Sequence, residues 1–309
     1  MVHVGRSQPA LAGNRLDLIG VPTDVGASCR GSDLGPDFLR VSGLVEALAA
    51  NRYAVRDLGD IVVDRELPSV VQVDRLAARV SAAGYQSLGT GARPVFLGGD
   101  HSISMGSVAG VARHCRRIGQ PLFVLWLDAH GDYNTWATTE TGNIHGMSLA
   151  RLCGEQGFDN APSWFAPIDP ANVLILGARS LDCEEAQLID QRTVQVVDMD
   201  MLRVSGVAFP LRGFLDRVEA AGGHLHLSFD IDALDPSLAP GVGTPVDGGL
   251  SLEQAEQVMD MLHECGRVGS IDLVELNPLL DRGGTSAEVM IGLTARLLGE
   301  VQSVRRLAA

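Results

Sequence analysis

Short apolar runs alternate with segments of helical spacing along nearly the whole chain, and this alternation limits the possible folds more than any other feature. The apolar runs predict eight β-strands, over 16–21, 53–58, 94–97, 122–127, 173–177, 194–197, 225–229 and 269–275. Helices are predicted over 36–50, 68–88, 102–117, 147–153, part of 211–221, 251–263 and 286–305. Strands that alternate with helices indicate an α/β fold, with a mainly parallel sheet covered by helices on both faces.

The domain organisation is predicted to be simple. The chain has 309 residues, of which 46% are hydrophobic, so it can bury a large core as one domain. No Pro/Ser-rich linker, internal repeat or shift in composition divides it. We expect residues 1–14 to form a flexible lead-in and residues 15–309 to form a single domain.

Charge and composition exclude several classes of function. The net charge is −14, with 24 basic and 38 acidic residues, which disfavours nucleic acid or an anionic membrane as a partner. The sequence contains no Lys, which excludes Schiff-base chemistry and Lys-containing phosphate loops. Residues 1–15 carry no long apolar run, so no secretory signal or membrane span is predicted. Five scattered Cys, with no CxxC pair, are typical of reduced thiols and favour a cytoplasmic protein.

The stretch 125–146, LWLDAHGDYNTWATTETGNIHG, carries the strongest chemical signal. Asp128, His130 and Asp132 follow directly after the predicted buried strand 122–127. In an extended segment, alternate residues point to one face, so these three side chains can converge. Ligands in open α/β sheets bind at the carboxyl ends of the strands, which is where this group lies.

Two further strands end in residues of the same kind. His101 follows Gly98 and Gly99 after the strand 94–97, and Asp230 and Asp232 follow the strand 225–229. If these strands are neighbours, two imidazoles and four carboxylates meet, and so many acids in one place require cations. Two divalent ions would neutralise them, and hard oxygen donors with few imidazoles favour manganese over a thiolate-bound metal. Asp235 and Pro236 are interpreted as a turn.

Five motifs in order carry a family resemblance: GGDHS at 98–102, DAHGDYN at 128–134, GNIHG at 142–146, SFDIDALDP at 228–236 and ELNP at 275–278. They resemble the ureohydrolase superfamily and, within it, the arginases most closely. The likeness runs from the loop near residue 20 to past residue 280. Several such motifs in the right order are far more specific than any one of them.

The resemblance implies a single three-layer α/β/α domain and two Mn²⁺ ions per subunit. It assigns His101, Asp128, Asp132 and Asp230 to one ion. It assigns Asp128, His130, Asp230 and Asp232 to the other, so that Asp128 and Asp230 bridge. The family also implies a homotrimer or homohexamer.

The implied reaction is hydrolysis of a guanidino group with release of urea. Paired divalent ions can supply a hydroxide nucleophile near neutral pH by lowering the pKa of bound water. His145 matches the family's proton-shuttling histidine, and its ordinary pKa suits that role. Glu275 matches the acid that pairs with the substrate guanidinium.

The resemblance also implies how the rest of the substrate is recognised. Asn134, Thr139 and Thr141 match positions that bind an α-carboxylate, and Asp182 and Glu185 match positions that contact an α-amino group. Thr244 matches a threonine near the reaction intermediate. This set favours L-arginine, with L-ornithine and urea as products, because hydroxyl and amide donors suit a carboxylate and acids suit an ammonium.

Several alternatives remain open. Trp136 and Glu140 are atypical in the recognition loop, and Glu140 adds a negative charge there. A related amidinohydrolase that acts on agmatine, 4-guanidinobutyrate or another guanidino acid would differ only in such loops. A catalytically silent regulatory or assembly homologue is an alternative of another class, and a zinc-dependent deacylase is a third. The intact ligand set argues against the silent homologue.

Overall fold

The structure, a computed structural model, describes residues 14–158, 162 and 164–299. Its eight strands are β1 (Arg15–Val21), β2 (Ala54–Asp60), β3 (Arg93–Gly98), β4 (Leu122–Leu127), β5 (Val173–Ala178), β6 (Gln195–Asp198), β7 (His224–Asp230) and β8 (Val268–Val274). They form one sheet in the order β2-β1-β3-β8-β7-β4-β5-β6. Every neighbouring pair in it is parallel, so all carboxyl ends lie at one edge.

Ten α-helices lie in the described residues: α1 (Gly35–Val41), α2 (Leu44–Ala50), α3 (Ser69–Gly89), α4 (Ser104–Ile118), α5 (Ser148–Leu152), α6 (Cys183–Asp190), α7 (Met199–Ser205), α8 (Ala208–Ala220), α9 (Leu252–Cys265) and α10 (Thr285–Leu297). Helix α4 packs against α3 and α5, and helix α9 packs against α8 and α10, with α10 also contacting α2. These two groups cover the two faces of the sheet, which gives the predicted three-layer α/β/α fold. None of the described helices has the length and apolar character needed to cross a membrane.

The two faces of the central strands differ in character. On β7, the apolar side chains Leu225, Leu227 and Phe229 enter the large core that also contains residues of α8, α9 and α10. Strand alternation sends the intervening side chains to the opposite face, where α4 packs. That face carries His224 and His226, both buried. One face of β7 is therefore an apolar core and the other a buried polar layer.

The sequence pattern located all eight strands, and the differences concern helices. The predicted helix over 36–50 is two helices, because Gly43 takes a left-handed φ of 96° between them. Helices α6 and α7 were missed, since each has only seven or eight residues and little periodic signal. The closing helix, predicted over 286–305, ends at Leu297, and the part of the prediction beyond residue 299 lies outside the described residues.

The domain boundaries stay a prediction. The predicted lead-in lies outside the described residues except for Asn14, and so does the stretch 300–309.

Candidate metal centre and active site

The candidate residues follow four strands that are consecutive in the sheet. In the order β3-β8-β7-β4, these strands are followed or ended by His101, Glu275, Asp230 and Asp128. Because the strands are parallel, the four residues meet at one edge of the sheet. Of the three strands that carry the predicted ligands, β4 and β7 are neighbours, whereas β8 separates β3 from β7. The ligands meet nevertheless, because His101 lies three residues beyond the end of β3 and reaches Asp230.

His101, Asp128, Asp132 and Asp230 form what we call the inner cluster. The Nδ1 atom of His101 lies 3.0 Å from Asp128 Oδ2 and 3.1 Å from Oδ2 of both Asp132 and Asp230. Burial is nearly complete, since the His101 side chain is 1% exposed. His101, Asp128 and Asp230 each place one ligand atom within 4.8 Å of the others, so these three could hold an ion. Asp132 joins the cluster through its contact with His101, and its role as a ligand stays a prediction.

Asp128, His130 and Asp232 form the outer cluster. The Nδ1 atom of His130 lies 3.1 Å from Asp232 Oδ2 and 3.4 Å from Asp128 Oδ1. The His130 side chain is 26% exposed, so this cluster opens toward solvent. Asp128 presents one oxygen to each cluster, as a bridging ligand would. Of the described groups that could hold an ion, Asp230 belongs to the inner one only, so its predicted bridging role stays a prediction.

The charges in the inner cluster conflict unless a cation balances them. Burial raises the pKa of Asp230 well above its usual range, and the neighbouring carboxylates of Asp232 and Asp128 raise it further. Burial lowers the pKa of His101, but the carboxylates, Asp132 first, outweigh this and raise it well above the ordinary value. Both shifts mean that the inner cluster favours added positive charge, which a bound cation would supply.

The donor set fits a divalent metal. His101 Nδ1 and Asp132 Oδ2 are buried and have no hydrogen-bond partner, although they lie 3.1 Å apart. Buried polar atoms are rarely left without a partner unless an ion or water completes them. Nitrogen and carboxylate donors without thiolate suit manganese and similar hard cations.

Neighbouring groups hold the ligands in place. Trp126 Nε1 donates to Asp128 Oδ2 at 3.0 Å, and its ring stacks on the His101 imidazole at 4.1 Å with an interplanar angle of 7°. Backbone amides fix the carboxylates as well: His130 N donates to Asp128 Oδ1, and Ala129 N donates to Asp232 Oδ1. These contacts restrict the carboxylates of Asp128 and Asp232 and the ring of His101.

Two candidate residues have a backbone conformation that side chains disfavour. Asp132 has a φ of 49° and Glu275 a φ of 64°. A left-handed backbone is uncommon outside glycine, and it recurs at functional sites where the surrounding structure enforces it. The amides of Leu149 and Ala150 both donate to Asp132 O, which helps to enforce the turn there.

A cavity of about 120 Å³ adjoins the clusters. His145, Glu275 and Thr244 line it, together with Asn143 and Cys29. His145 Nδ1 lies 2.8 Å from Glu275 Oε1, and the same oxygen accepts a hydrogen bond from the His101 amide at 2.6 Å. Glu275 therefore connects the candidate proton carrier to the metal-binding loop.

The pKa of His145 is set by opposing effects. Burial lowers it, but the Glu275 carboxylate, with smaller contributions from Asp132 and Asp100, raises it to about 9. The pKa of Glu275 itself is lowered, because His145 and the His101 amide outweigh the effect of burial. In this arrangement His145 carries a proton at neutral pH and faces the cavity.

The predicted recognition residues fall into two groups. Asn134 Nδ2 donates to Asp182 Oδ2 at 2.9 Å, so these two candidates are adjacent. Thr139 and Thr141 lie in the loop beyond them, where their hydroxyls accept from the amides of Gly142 and Asn143. A hydroxyl that accepts from a backbone amide still has a proton to donate.

Glu185 has contacts that explain it without a ligand. Its side chain accepts hydrogen bonds from the amides of Tyr133 and Asp182, which completes a capping box at the start of α6. Burial raises its pKa to about 7. In the sequence, this capping box of Asp182 and Glu185 is the signal that could have predicted α6.

The remaining predicted residues differ in how close they lie to the clusters. Thr244 Oγ1 donates to Asp232 Oδ2 at 3.5 Å, which puts it beside the outer cluster. Glu140 and Trp136 are exposed, Trp136 by 43%.

Sequence reasoning missed Asn143 and Trp126. Asn143 lines the cavity, where its Oδ1 accepts from Ser28. Its signal was its position in GNIHG, two residues before His145. Trp126 lies two residues before Asp128 on β4, and strand alternation puts both on one face.

Comparisons with known proteins agree with this geometry. A family model described as the arginase family matches residues 14–299. An arginase from Agrobacterium fabrum is 44% identical over 291 residues, which cover 91% of this chain and 90% of that protein. An arginase from Brucella melitensis is 42% identical over 292 residues, 91% of this chain and 95% of that protein. The crystal structure of arginase from Bacillus cereus superposes with a TM-score of 0.87 at 37% identity, covering 94% of this chain and 99% of that chain. The chain therefore belongs to the arginase family and is a hydrolase that acts on guanidino groups.

Proposed function

We propose that this protein is a manganese-dependent hydrolase that converts L-arginine and water to L-ornithine and urea. The observation that carries the proposal is the pair of clusters that share Asp128, beside a cavity lined by His145 and Glu275. The proposed Mn²⁺ ligands are the six residues His101, Asp128, His130, Asp132, Asp230 and Asp232. When bound, the two ions supply the charge neutralisation and the water activation that the hydrolysis of an unreactive guanidinium needs.

The residues of the chain would divide the remaining work. The Glu275 carboxylate borders the cavity and provides a negative charge for the guanidinium. Through Oε1 it also holds the His145 ring at Nδ1. His145 carries a proton at neutral pH, so it can give one to the leaving amino group when the C–N bond breaks. Thr244, hydrogen bonded to Asp232, limits where the guanidino group can sit.

Recognition of an α-amino acid supports L-arginine over other guanidino compounds. Asp182 is partly exposed and holds Asn134 by a hydrogen bond, so an acid for an ammonium and an amide for a carboxylate are adjacent. Thr139 and Thr141 add hydroxyls on the carboxylate side, and we keep Glu185 as a weaker contact to the α-amino group. Glu140 is exposed at the loop surface, which supports the interpretation that its charge faces solvent rather than the substrate carboxylate.

We also propose a cytoplasmic homo-oligomer, either a trimer or a hexamer. All five Cys are unpaired, in keeping with a reducing compartment. Val204 and Phe209 are large apolar side chains with 91% and 81% exposure, which a partner subunit could cover. Sedimentation velocity on the Mn²⁺-loaded protein would give the number of subunits, and a stable monomer would refute the assembly.

The deciding experiment is urea release by the Mn²⁺-reconstituted protein. The panel contains L-arginine, agmatine, 4-guanidinobutyrate and other guanidino acids at one concentration, and Asp182→Asn serves as the specificity variant. Turnover confined to L-arginine, reduced in Asp182→Asn through KM, is the expected result. Turnover on another compound would refute the substrate assignment. Two bound metals with no urea from any compound would refute the enzymatic role and favour a silent homologue.

A further inference from the structure

A row of buried polar side chains lies behind the inner cluster, on the face of the sheet that α4 covers. Ser228 on β7, Asp272 on β8 and Ser104 on α4 are each 0% exposed. Ser228 and Asp272 are paired across the two strands. Such groups are costly in a protein interior unless they bond to one another, so their contacts decide what the row does.

The contacts form an unbroken path to a proposed metal ligand. His101 Nε2 lies 2.8 Å from Ser228 Oγ, and Ser228 Oγ lies 3.2 Å from Ser104 Oγ. Ser104 Oγ donates to Asp272 Oδ2 at 2.7 Å. The path starts at the ring nitrogen of His101 that points away from the inner cluster, and it ends on a carboxylate.

Counting protons fixes the direction of every bond in this path. An ionised carboxylate only accepts, so the single hydroxyl proton of Ser104 goes to Asp272. Ser104 must then accept from Ser228, which uses the single proton of Ser228. Ser228 can therefore only accept from His101, and Nε2 must carry a hydrogen. A neutral His101 with hydrogen on Nε2 has its lone pair on Nδ1, the atom that faces Asp128, Asp132 and Asp230.

We propose that Asp272, Ser104 and Ser228 form a positioning relay that holds His101 in the tautomer able to bind metal through Nδ1. The relay rests on the proposed metal centre. A carboxylate that orients a metal-binding histidine directly is a common device, and its loss typically weakens metal binding by about 10- to 100-fold. Here two serines extend the connection through the core to a carboxylate on another strand.

Contacts of Asp272 that lie outside the path keep its carboxylate charged. His226 Nε2 lies 3.2 Å from Asp272 Oδ2, and Ser107 Oγ donates to the same oxygen at 2.6 Å. Burial raises the pKa of Asp272, but His226 and the two serines outweigh it, so the carboxyl titrates below its usual range. Asp272 therefore accepts rather than donates, as the direction of the relay requires.

Helix α4 offers a matched pair of variants. Ser104 and Ser107 are both 0% exposed, and both donate to Asp272 Oδ2 at nearly equal distance. Ser104 also contacts Ser228, through its Oγ atom. Ser104→Ala therefore breaks the relay and Ser107→Ala does not, while each removes one hydroxyl and one bond to the same oxygen.

The test measures Mn²⁺ binding to the metal-free full-length protein by equilibrium dialysis, with thermal unfolding in parallel. We expect Ser104→Ala to weaken the inner site by about 10-fold or more and Ser107→Ala to change it less than about 2-fold. Both variants should lower the unfolding midpoint of the metal-free protein by similar amounts. Equal Mn²⁺ affinities in the two variants would overturn the relay. If the wild-type protein binds no Mn²⁺, both the relay and the metal centre of the proposed function fail.

Ser228→Ala gives a second route if Ser104→Ala does not fold. It removes the acceptor of His101 Nε2 directly, so its inner-site affinity should fall at least as far. Ser270→Ala is its control, because Ser270 contacts His226 and His224 beyond Asp272. Wild-type affinity in Ser228→Ala would overturn the proposal.

Discussion

The inner and outer clusters share Asp128 but are built differently. His101 is 1% exposed, stacked on Trp126 and bonded to Ser228, so its ring has no room to turn. His130 is 26% exposed. A buried ligand with a fixed side chain binds a metal tightly because little entropy is lost on binding. A partly exposed ligand leaves room beside the metal for water and substrate. For the proposed metal centre, the difference predicts that the inner cluster holds its ion more tightly and that the outer cluster lies nearer the substrate.

Removing Asp128, the ligand that the two clusters share, should have the largest effect, since it weakens both clusters at once. Asp128→Ala takes one oxygen from each cluster, and we expect it to weaken Mn²⁺ binding by more than about 100-fold, beyond the loss seen for indirect partners. Urea release should fall below detection. Metal content measured after dialysis is the test, and full occupancy in this variant would contradict the ligand assignment.

His145→Asn should separate metal binding from proton transfer. It leaves both clusters untouched, and we expect turnover to fall by about 10²- to 10⁴-fold, the usual contribution of a positioned proton donor. Metal content should stay at the wild-type level. His114→Asn, a histidine of α4 outside the site, is the control. Loss of Mn²⁺ in His145→Asn would mean that the residue supports the centre instead.

The two histidine ligands can be compared directly. In His101→Asn we expect the inner ion to bind about 10-fold more weakly than the outer ion binds in His130→Asn, because the His101 ring is held by the buried Ser228 and Trp126 whereas the His130 side chain is 26% exposed. Both titrations use metal-free protein and the same Mn²⁺ range. Equal losses would show that the difference in burial does not affect affinity.

The polar layer behind the inner cluster should affect stability, with no direct effect on metal binding or turnover. Burial lowers the pKa of His224 to about 3, helped by His226, from an ordinary value of 6.5. Between these values the unfolded chain binds a proton that the folded chain does not. The stability associated with neutral His224 is therefore full above about pH 6.5 and is lost as the pH falls toward 3.

His224→Gln should flatten this acid slope, by up to about 1.4 kcal/mol per pH unit for one proton. Urea denaturation of metal-free protein at several pH values between 4 and 7 (roughly the span of the two pKa values) measures it. An unchanged slope would mean that His224 does not control acid stability.

Periodicity and strand-end residues predicted the strands and the convergence of His101, Asp128 and Asp230, because parallel strands put their carboxyl ends at one edge. They could not predict which strands are neighbours: β8 enters the sheet between β3 and β7 although it is last in the chain. The stacking of Trp126 on His101 was missed for the same reason, because Trp126 lies on β4 whereas His101 follows β3. In the sequence alone, Trp126 is an ordinary buried aromatic residue. Ser104 and Asp272 come together only in the fold, so no local pattern could show the relay.

The left-handed backbone at Asp132 and Glu275 has a consequence for how this enzyme can be improved. Glycine would relax the backbone at both positions, but Glu275→Gly would also leave the His101 amide and the His145 ring without the carboxylate oxygen that they share. The loss of these buried contacts opposes the gain from the relaxed backbone. A library screened for survival at high temperature should therefore retain Glu275. Of the three described non-glycine residues with a left-handed backbone, two lie in the candidate site, where the side chain and the strained backbone cannot be separated by substitution.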